Sequence, residues 1–287
     1  MTLNLVQNTP SAVPATEPPV LSLIVLANFF PAARRAIRYA AELAAPLGAQ
    51  LVLLHVREVT VLDGELLPAG EERDGELLMA VQSLADEAYV PTSVELVPNL
   101  QLSTAAELAK RYAPALFVLG HAEEVNEEGT VSQAVLEVLR SGEFPLLVVP
   151  EVYSGPAAPK QVMVAADGEP FTLHKPAAAL QLLTQLEPRM TVVTVSAVQD
   201  DQTCAMALHQ VKASGLSDAA SHICPEAIRH GYPVQGLLKA VHQTGAELAV
   251  LIARRHSFLS AMFHRSVTNR LLSTCPVPML LLPATDG

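Results

Sequence analysis

A chain of 287 residues, half of them hydrophobic and only 16% charged, holds enough apolar material for two packed cores and excludes a disordered chain, a fibre or a coiled coil. Its net charge of −11, from 18 basic and 29 acidic residues, excludes a general nucleic-acid binder and argues against an anionic membrane surface as partner. The three cysteines, Cys204, Cys224 and Cys275, are odd in number and lack a C-x-x-C, which speaks against a disulfide framework or a structural zinc module.

Residues 1–20 are rich in Pro, Thr and Ala and read as a mobile tail. They lack the basic and continuous apolar regions of a signal peptide, and no apolar run is long enough to span a bilayer, so the expected location is the cytoplasm. LSLIVLA, 21–27, then reads as a buried strand. Residues 31–48 form a helical pattern with Pro at its start and Gly at its end. LVLLHV, 51–56, is a strand, 70–88 a helix, 93–97 a short strand, 101–112 a helix, 115–120 a strand, 130–141 a helix, and PLLVVP, 145–150, a strand. EVYSGPAAPK, 151–160, reads as a linker.

The same order then begins again. QVMVAAD, 161–167, is a strand and 170–187 a helix; 190–195 is a strand and 201–214 a helix. Residues 220–224 form a short strand, 233–244 a helix, 247–252 a strand, 265–274 a helix, and PMLLLP, 278–283, the last strand. The expected fold is α/β, with two tandem five-stranded parallel sheets of Rossmann-like type, at 21–150 and 161–287, covered by helices on both faces. Ligands of such a fold bind at the carboxyl ends of the strands, where the strand order reverses. The halves differ in charge: residues 1–150 carry 8 basic and 19 acidic groups, and 151–287 carry 10 of each.

Two units of this kind, each with a long loop after its fourth strand and a closing Pro-aliphatic-Pro strand, resemble a tandem universal stress protein. The stretches ELAVLIARRHSFLSAMFHRSVTNRLLSTCPVPMLLLP (247–283) and LSLIVLANFFPAARRAIRYAAELAAPLGAQLVLLHV (21–56) carry the resemblance, which covers nearly all of 21–283. It implies an adenine-nucleotide-binding-like fold, dimers or pseudo-dimers, and a role in stress survival rather than catalysis. Nucleotide-binding members place an acidic residue after the first strand, to meet adenine, and a G-x2-G-x9-G-[ST] loop after the fourth. The glycines admit phosphates to backbone N–H groups at a helix N-terminus.

In the second half Asp167 and Gly168 match the acidic position, although Asp-Gly is also ordinary turn chemistry. Ile252, Arg255 and Arg265 stand at the three glycine positions, and Ser266 keeps the hydroxyl. Arg254, Arg255, His256 and Arg265 would hold an anion by side chains, or else form a solvated basic loop. In the first half the acidic position reads Ala27-Asn28, and Gly120 matches the first glycine. Glu123, Glu124, Glu127 and Glu128 follow, and Gly129-Thr130 stands four residues too early, so that loop would repel a triphosphate. His222 and Cys224 face one side of a strand, either as half a metal site with His230 nearby or as packed residues. His209 and His242 sit in helices, and neither a nucleophile elbow nor a P-loop occurs.

The resulting expectation is a non-enzymatic stress-response protein with degenerate ATP sites, without a cofactor or metal, acting by contact with an unidentified protein partner or by sensing a ligand. The two halves form a pseudo-dimer, and two chains pair further as a homodimer. The terminal strands 145–149 and 278–282 are core residues that also lie at a sheet edge able to pair with its counterpart. The alternative is a module that binds ATP or another adenine nucleotide in the second half through Asp167, Gly168, the backbone near Val195, Arg254, Arg255, His256, Arg265 and Ser266. A nucleotide hydrolase or transferase on the same fold is a third reading, opposed by the lack of a nucleophile–base pair.

Overall fold

The computed structural model describes residues 19–28, 31–56, 61–62, 65–66, 79, 82–83, 85–121, 136, 138–141, 143–198, 200–254, 271–272 and 274–287. The first half contributes β1 (Ser22–Leu26), α1 (Pro31–Leu47), β2 (Gln50–Val56), a small ribbon of β3 (Val61–Leu62) and β4 (Glu65–Leu66), β5 (Thr92–Val97), α2 (Leu102–Arg111), β6 (Ala115–His121) and β7 (Leu146–Pro150). The second contributes β8 (Gln161–Ala165), β9 (Phe171–Leu173), α3 (Ala177–Leu186), β10 (Arg189–Ser196), α4 (Asp201–Ala213), a 3-10 turn (Leu216–Ala219), β11 (His222–Arg229), α5 (Pro233–Thr244), β12 (Leu248–Ala253) and β13 (Met279–Asp286). Residues 79, 82–83, 85–86, 136, 138–141, 271–272 and 274 are helical and 87–88 form a turn; the rest of the expected helices 70–88, 130–141 and 265–274 lies outside the described residues.

Within each half the strands run parallel in the order third, second, first, fourth, fifth: β5-β2-β1-β6-β7 and β11-β10-β8-β12-β13. The chain moves outward one way from the first strand, then returns and moves outward the other way, so right-handed crossovers place helices on both faces. Strands covered on both faces need continuous apolar runs. β1 and β7 are buried at every residue, as expected of SLIVL and LLVVP.

The two halves join through an antiparallel ladder between β7 and β13, which makes one continuous sheet. The pairs are Leu146–Leu281, Leu147–Leu280 and Val148–Met279. The repeat aligns Pro145 with Pro278, and therefore Leu147 with Leu280. Under that alignment the Leu146–Leu281 pair maps onto Met279–Val148, and Leu147–Leu280 maps onto itself. A local two-fold axis thus passes through the Leu147–Leu280 contact, the geometry of an isologous dimer within one chain. Pro145 and Pro278 lack N–H groups and limit the ladder on either side.

The 151–160 segment links both halves tightly. Arg35 Nε on α1 donates to the Tyr153 carbonyl at 2.5 Å. The Tyr153 ring is buried edge-on against Tyr39, with centroids 5.8 Å apart. Its hydroxyl lies 3.1 Å from the Pro156 carbonyl and 3.3 Å from that of Glu247, and donates to one of them. The Glu247 carboxylate accepts the Lys160 and Gln161 amides at 2.6 and 3.1 Å. Burial, with the nearby Glu247 carboxylate adding to it, pushes the Tyr153 phenol up to about 12.

Local chemistry fixes the helix ends. α1 begins at Pro31 and stops at Gly48, whose φ of +59° suits a left-handed cap. The Asp200 carboxylate accepts the Thr203 amide at 2.9 Å and caps α4, and the Thr203 hydroxyl and amide hold that carboxyl below its usual range. Two elements differ from the sequence reading. The expected helix 170–187 begins only at Ala177, because Pro170 and Pro176 interrupt it and Phe171–Leu173 instead pair antiparallel with Ala284–Asp286. The expected short strand 220–224 extends to Arg229 as an edge strand that carries Pro225, a residue tolerated there because one side of an edge needs no donor.

Because one sheet spans both halves, urea unfolding followed by circular dichroism is expected to give a single transition. Leu147→Ala and Leu280→Ala should each cost about 2–5 kcal/mol; two separate transitions would contradict the shared sheet. A phenol with a raised folded-state pKa contributes stability that is whole below about pH 10 and lost as pH rises through about 12. Alkaline unfolding should therefore become shallower in Tyr153→Phe.

Candidate functional site

The strand order of the second half reverses between β8 and β12, so residues that follow these two strands meet at their carboxyl ends. Asp167 follows β8, and Arg254 follows β12 directly. Arg254 is buried, with a side chain 4% exposed, and its Nη2 donates to Asp167 Oδ1 across the switch point. Its Nη1 donates to the Pro170 carbonyl at 3.0 Å and lies 3.6 Å from Asp286 Oδ1. The Glu169 amide approaches Asp167 Oδ1 at 3.3 Å. Asp167 Oδ2 is buried and, among the described residues, has no hydrogen-bond partner.

A buried guanidinium requires compensation for its charge, and this one has it from two carboxylates and a carbonyl. The compensation depends on β9. Its pairing with residues 284–286 brings Asp286 and the Pro170 carbonyl to the mouth of the crevice, where Pro170 also accepts the Gly287 amide at 3.2 Å. From the sequence Arg254 is either one of four cations able to hold an anion or part of a solvated basic loop. It faces Asp167, the carboxylate expected to meet adenine. Sequence reasoning placed both residues at the site but missed their pairing and the parts of Pro170 and Asp286, because no local pattern links residues so far apart in the chain.

Gly168 has a φ of +85°, and a side chain there would press on the Thr203 carbonyl at 3.0 Å. This glycine therefore serves the turn and its contact with α4. Val195, near the end of β10, packs its side chain against Gly236 of α5, where a Cβ would overlap it. Ile252 lies buried in β12. Arg255, His256, Arg265 and Ser266 lie outside the described residues.

In the first half the corresponding crevice holds Ala27 and Asn28 after β1. The buried His55 donates from Nδ1 to the Ala27 carbonyl at 2.8 Å, which fixes its tautomer. Gly120 has a packing reason: a Cβ would overlap the backbone of Ala32 at the start of α1. Its match to a phosphate-loop glycine thus follows from close helix–strand contact. His121 ends β6, and burial lowers its pKa. The acidic residues Glu123, Glu124, Glu127 and Glu128, with Gly129 and Thr130, lie outside the described residues.

The other candidates are accounted for locally. The Cys224 thiol faces the Thr191 hydroxyl at 3.8 Å and the Met190 carbonyl at 3.9 Å. His222 is exposed, and His230 Nδ1 accepts the Tyr232 amide at 3.0 Å. His209 and His242 are exposed on their helices. Among the described residues no group of three or more His, Cys, Asp or Glu could hold a metal ion, and no helix is long and apolar enough to cross a membrane.

Removing Arg254 leaves Asp167 as an uncompensated buried charge, so Arg254→Ala should cost about 3–5 kcal/mol in urea unfolding. Asp167→Asn should cost less, since Arg254 keeps the Pro170 carbonyl and Asp286. Equal losses would show that the Pro170 carbonyl and Asp286 do not compensate Arg254 once Asp167 is neutral.

The profile of the universal stress protein family matches residues 22–150 and again 159–283. Among solved structures, a universal stress protein from Archaeoglobus fulgidus aligns with a TM-score of 0.62 at 16% identity, covering 91% of this chain and 97% of that one. A functionally unknown protein from Pseudomonas aeruginosa aligns with a TM-score of 0.52 at 15% identity, covering 91% and 92%. At these identities the structural likeness shows the fold alone. A search of curated proteins finds no match. The two successive profile matches, one to each half of the continuous sheet, make this chain a tandem member of the universal stress protein family.

Proposed function

We propose that this protein is a non-enzymatic stress-response protein that acts by contact with a protein partner or by sensing a ligand, and that its second crevice is closed to adenine nucleotides. The ion pair between Arg254 and Asp167 carries this reading. A nucleotide base that used Asp167 would have to displace a buried guanidinium and leave it with one carboxylate fewer, a cost comparable to the binding energy such a contact supplies. The absence of glycine at Ile252, Arg255 and Arg265 supports the same reading, because side chains there crowd the backbone approach that phosphates need. The first crevice, with Asn28 in place of the carboxylate, supports it on the other side of the molecule.

The adenine-nucleotide module is the rival, and one experiment separates them. Freshly purified protein is denatured, the supernatant is separated by ion-pair chromatography, and the emptied protein is titrated with Mg-ATP by calorimetry. The expected result is no stoichiometric nucleotide and no heat of binding. Micromolar binding that disappears in Asp167→Ala would overturn the proposal and place a working site in the second half.

A further inference from the structure

A separate pocket opens where the seam between the halves ends. The ladder stops after Leu146–Leu281, because Pro145 has no N–H for the next step and Pro283 none for the one after it. From Ala284 onward β13 pairs with β9 instead. The fork leaves a pocket of about 340 Å³, lined from the first half by Arg140, Phe144 and Leu146 and from the second by Arg254, Leu281 and Ala284. This volume and this position between two domains are those of small-molecule sites, which occupy about 300–1,000 Å³.

The lining specifies a class of ligand. Phe144, Leu146, Leu281 and Ala284 are each less than a tenth exposed and form an apolar wall. Arg254 stands at the wall's polar end. A guanidinium has five N–H donors, and among the described residues this one makes two hydrogen bonds, to Pro170 and Asp167. An oxygen acceptor presented from the pocket would meet the donors that remain. The rim beside the pocket is clasped across the halves. His174 Nδ1 lies 2.8 Å from Glu143 Oε2, and Lys175 Nζ stands 3.9 Å above the Phe144 ring. Glu143 and Lys175 both hold left-handed backbones, with φ of +52° and +46°, a strain that non-glycine residues adopt at clamps around ligands.

We propose that this pocket binds a small amphiphile: a short hydrocarbon body with a carbonyl or carboxylate oxygen at one end. The body lies along the seam, and the oxygen accepts from Arg254. Such a ligand touches both halves, so its binding reinforces their junction. The proposal does not depend on whether the second crevice takes nucleotides.

Saturation-transfer NMR on the full chain, with hexanoate and hexanamide as probes, tests it. Wild-type protein should transfer magnetisation to the terminal alkyl protons of at least one probe. Transfer to both would mean that an oxygen acceptor suffices, and transfer to hexanoate alone that the charge is required; either supports the site. Ser141→Phe fills the pocket from the first half at an exposed position that tolerates the change, and Ala284→Phe fills it from the second. Each should reduce transfer at least fivefold. No transfer to either probe in wild type, or transfer retained in folded Ser141→Phe, would overturn the proposal. The Mg-ATP titration reads Asp167 and leaves Ser141 untouched, so the two failures are distinguishable.

Discussion

The antiparallel seam at β7 and β13 places every other feature of the molecule. Each half is a parallel sheet with two edges, and an edge exposes a row of unpaired N–H and C=O groups. The seam consumes one edge from each half and leaves β5 and β11 as the rims. Strands run parallel within each half and antiparallel across the seam, so the carboxyl ends of the two sets point in opposite directions. The two crevices therefore open at opposite ends of one sheet. A molecule in one cannot touch a molecule in the other.

The crevices diverge from a common plan at several positions, among them Asn28 against Asp167 and Gly120 against Ile252. The second keeps the carboxylate of the plan but fills it with Arg254, held from behind by β9 and Asp286. Three elements far apart in the chain meet in that ion pair: the turn after β8, the residue after β12 and the far end of β13. The same stretch that holds Arg254, 170–175, also reaches the first half through His174 and Lys175. Support for Arg254 and contact between the halves thus both come from one short segment.

Most of the architecture was legible because its determinants are local. SLIVL and LLVVP can only be strands buried on both faces, and Pro31 with Gly48 marks both ends of α1. The pairing of 145–149 with 278–282 was expected from the resemblance to universal stress proteins, whose dimers pair these edges, and the ladder of β7 with β13 bears it out. What escaped the sequence is non-local. Phe171–Leu173 reads as helix by spacing, and becomes β9 only because residues 284–286 offer partners. Arg254 reads as a ligand-facing cation until the switch point sets Asp167 opposite it. Gly120 reads as part of a phosphate loop until α1 is seen to rest on it.

The linker has a consequence for how the two copies can change. In a dimer of identical chains every substitution at a two-fold contact occurs twice, and a poor one is doubled. Here the 151–160 backbone joins the copies covalently, hydrogen bonds at Tyr153 and Glu247 hold it locally, and the partner's concentration is replaced by a fixed effective concentration set by a short tether. The copies are then free to take different chemistry, one acidic and one neutral overall, one crevice with an Arg254–Asp167 ion pair and the other with an asparagine. A symmetric dimer has no electric dipole across its axis. This fused pair does, and an approaching partner can tell one end of the sheet from the other.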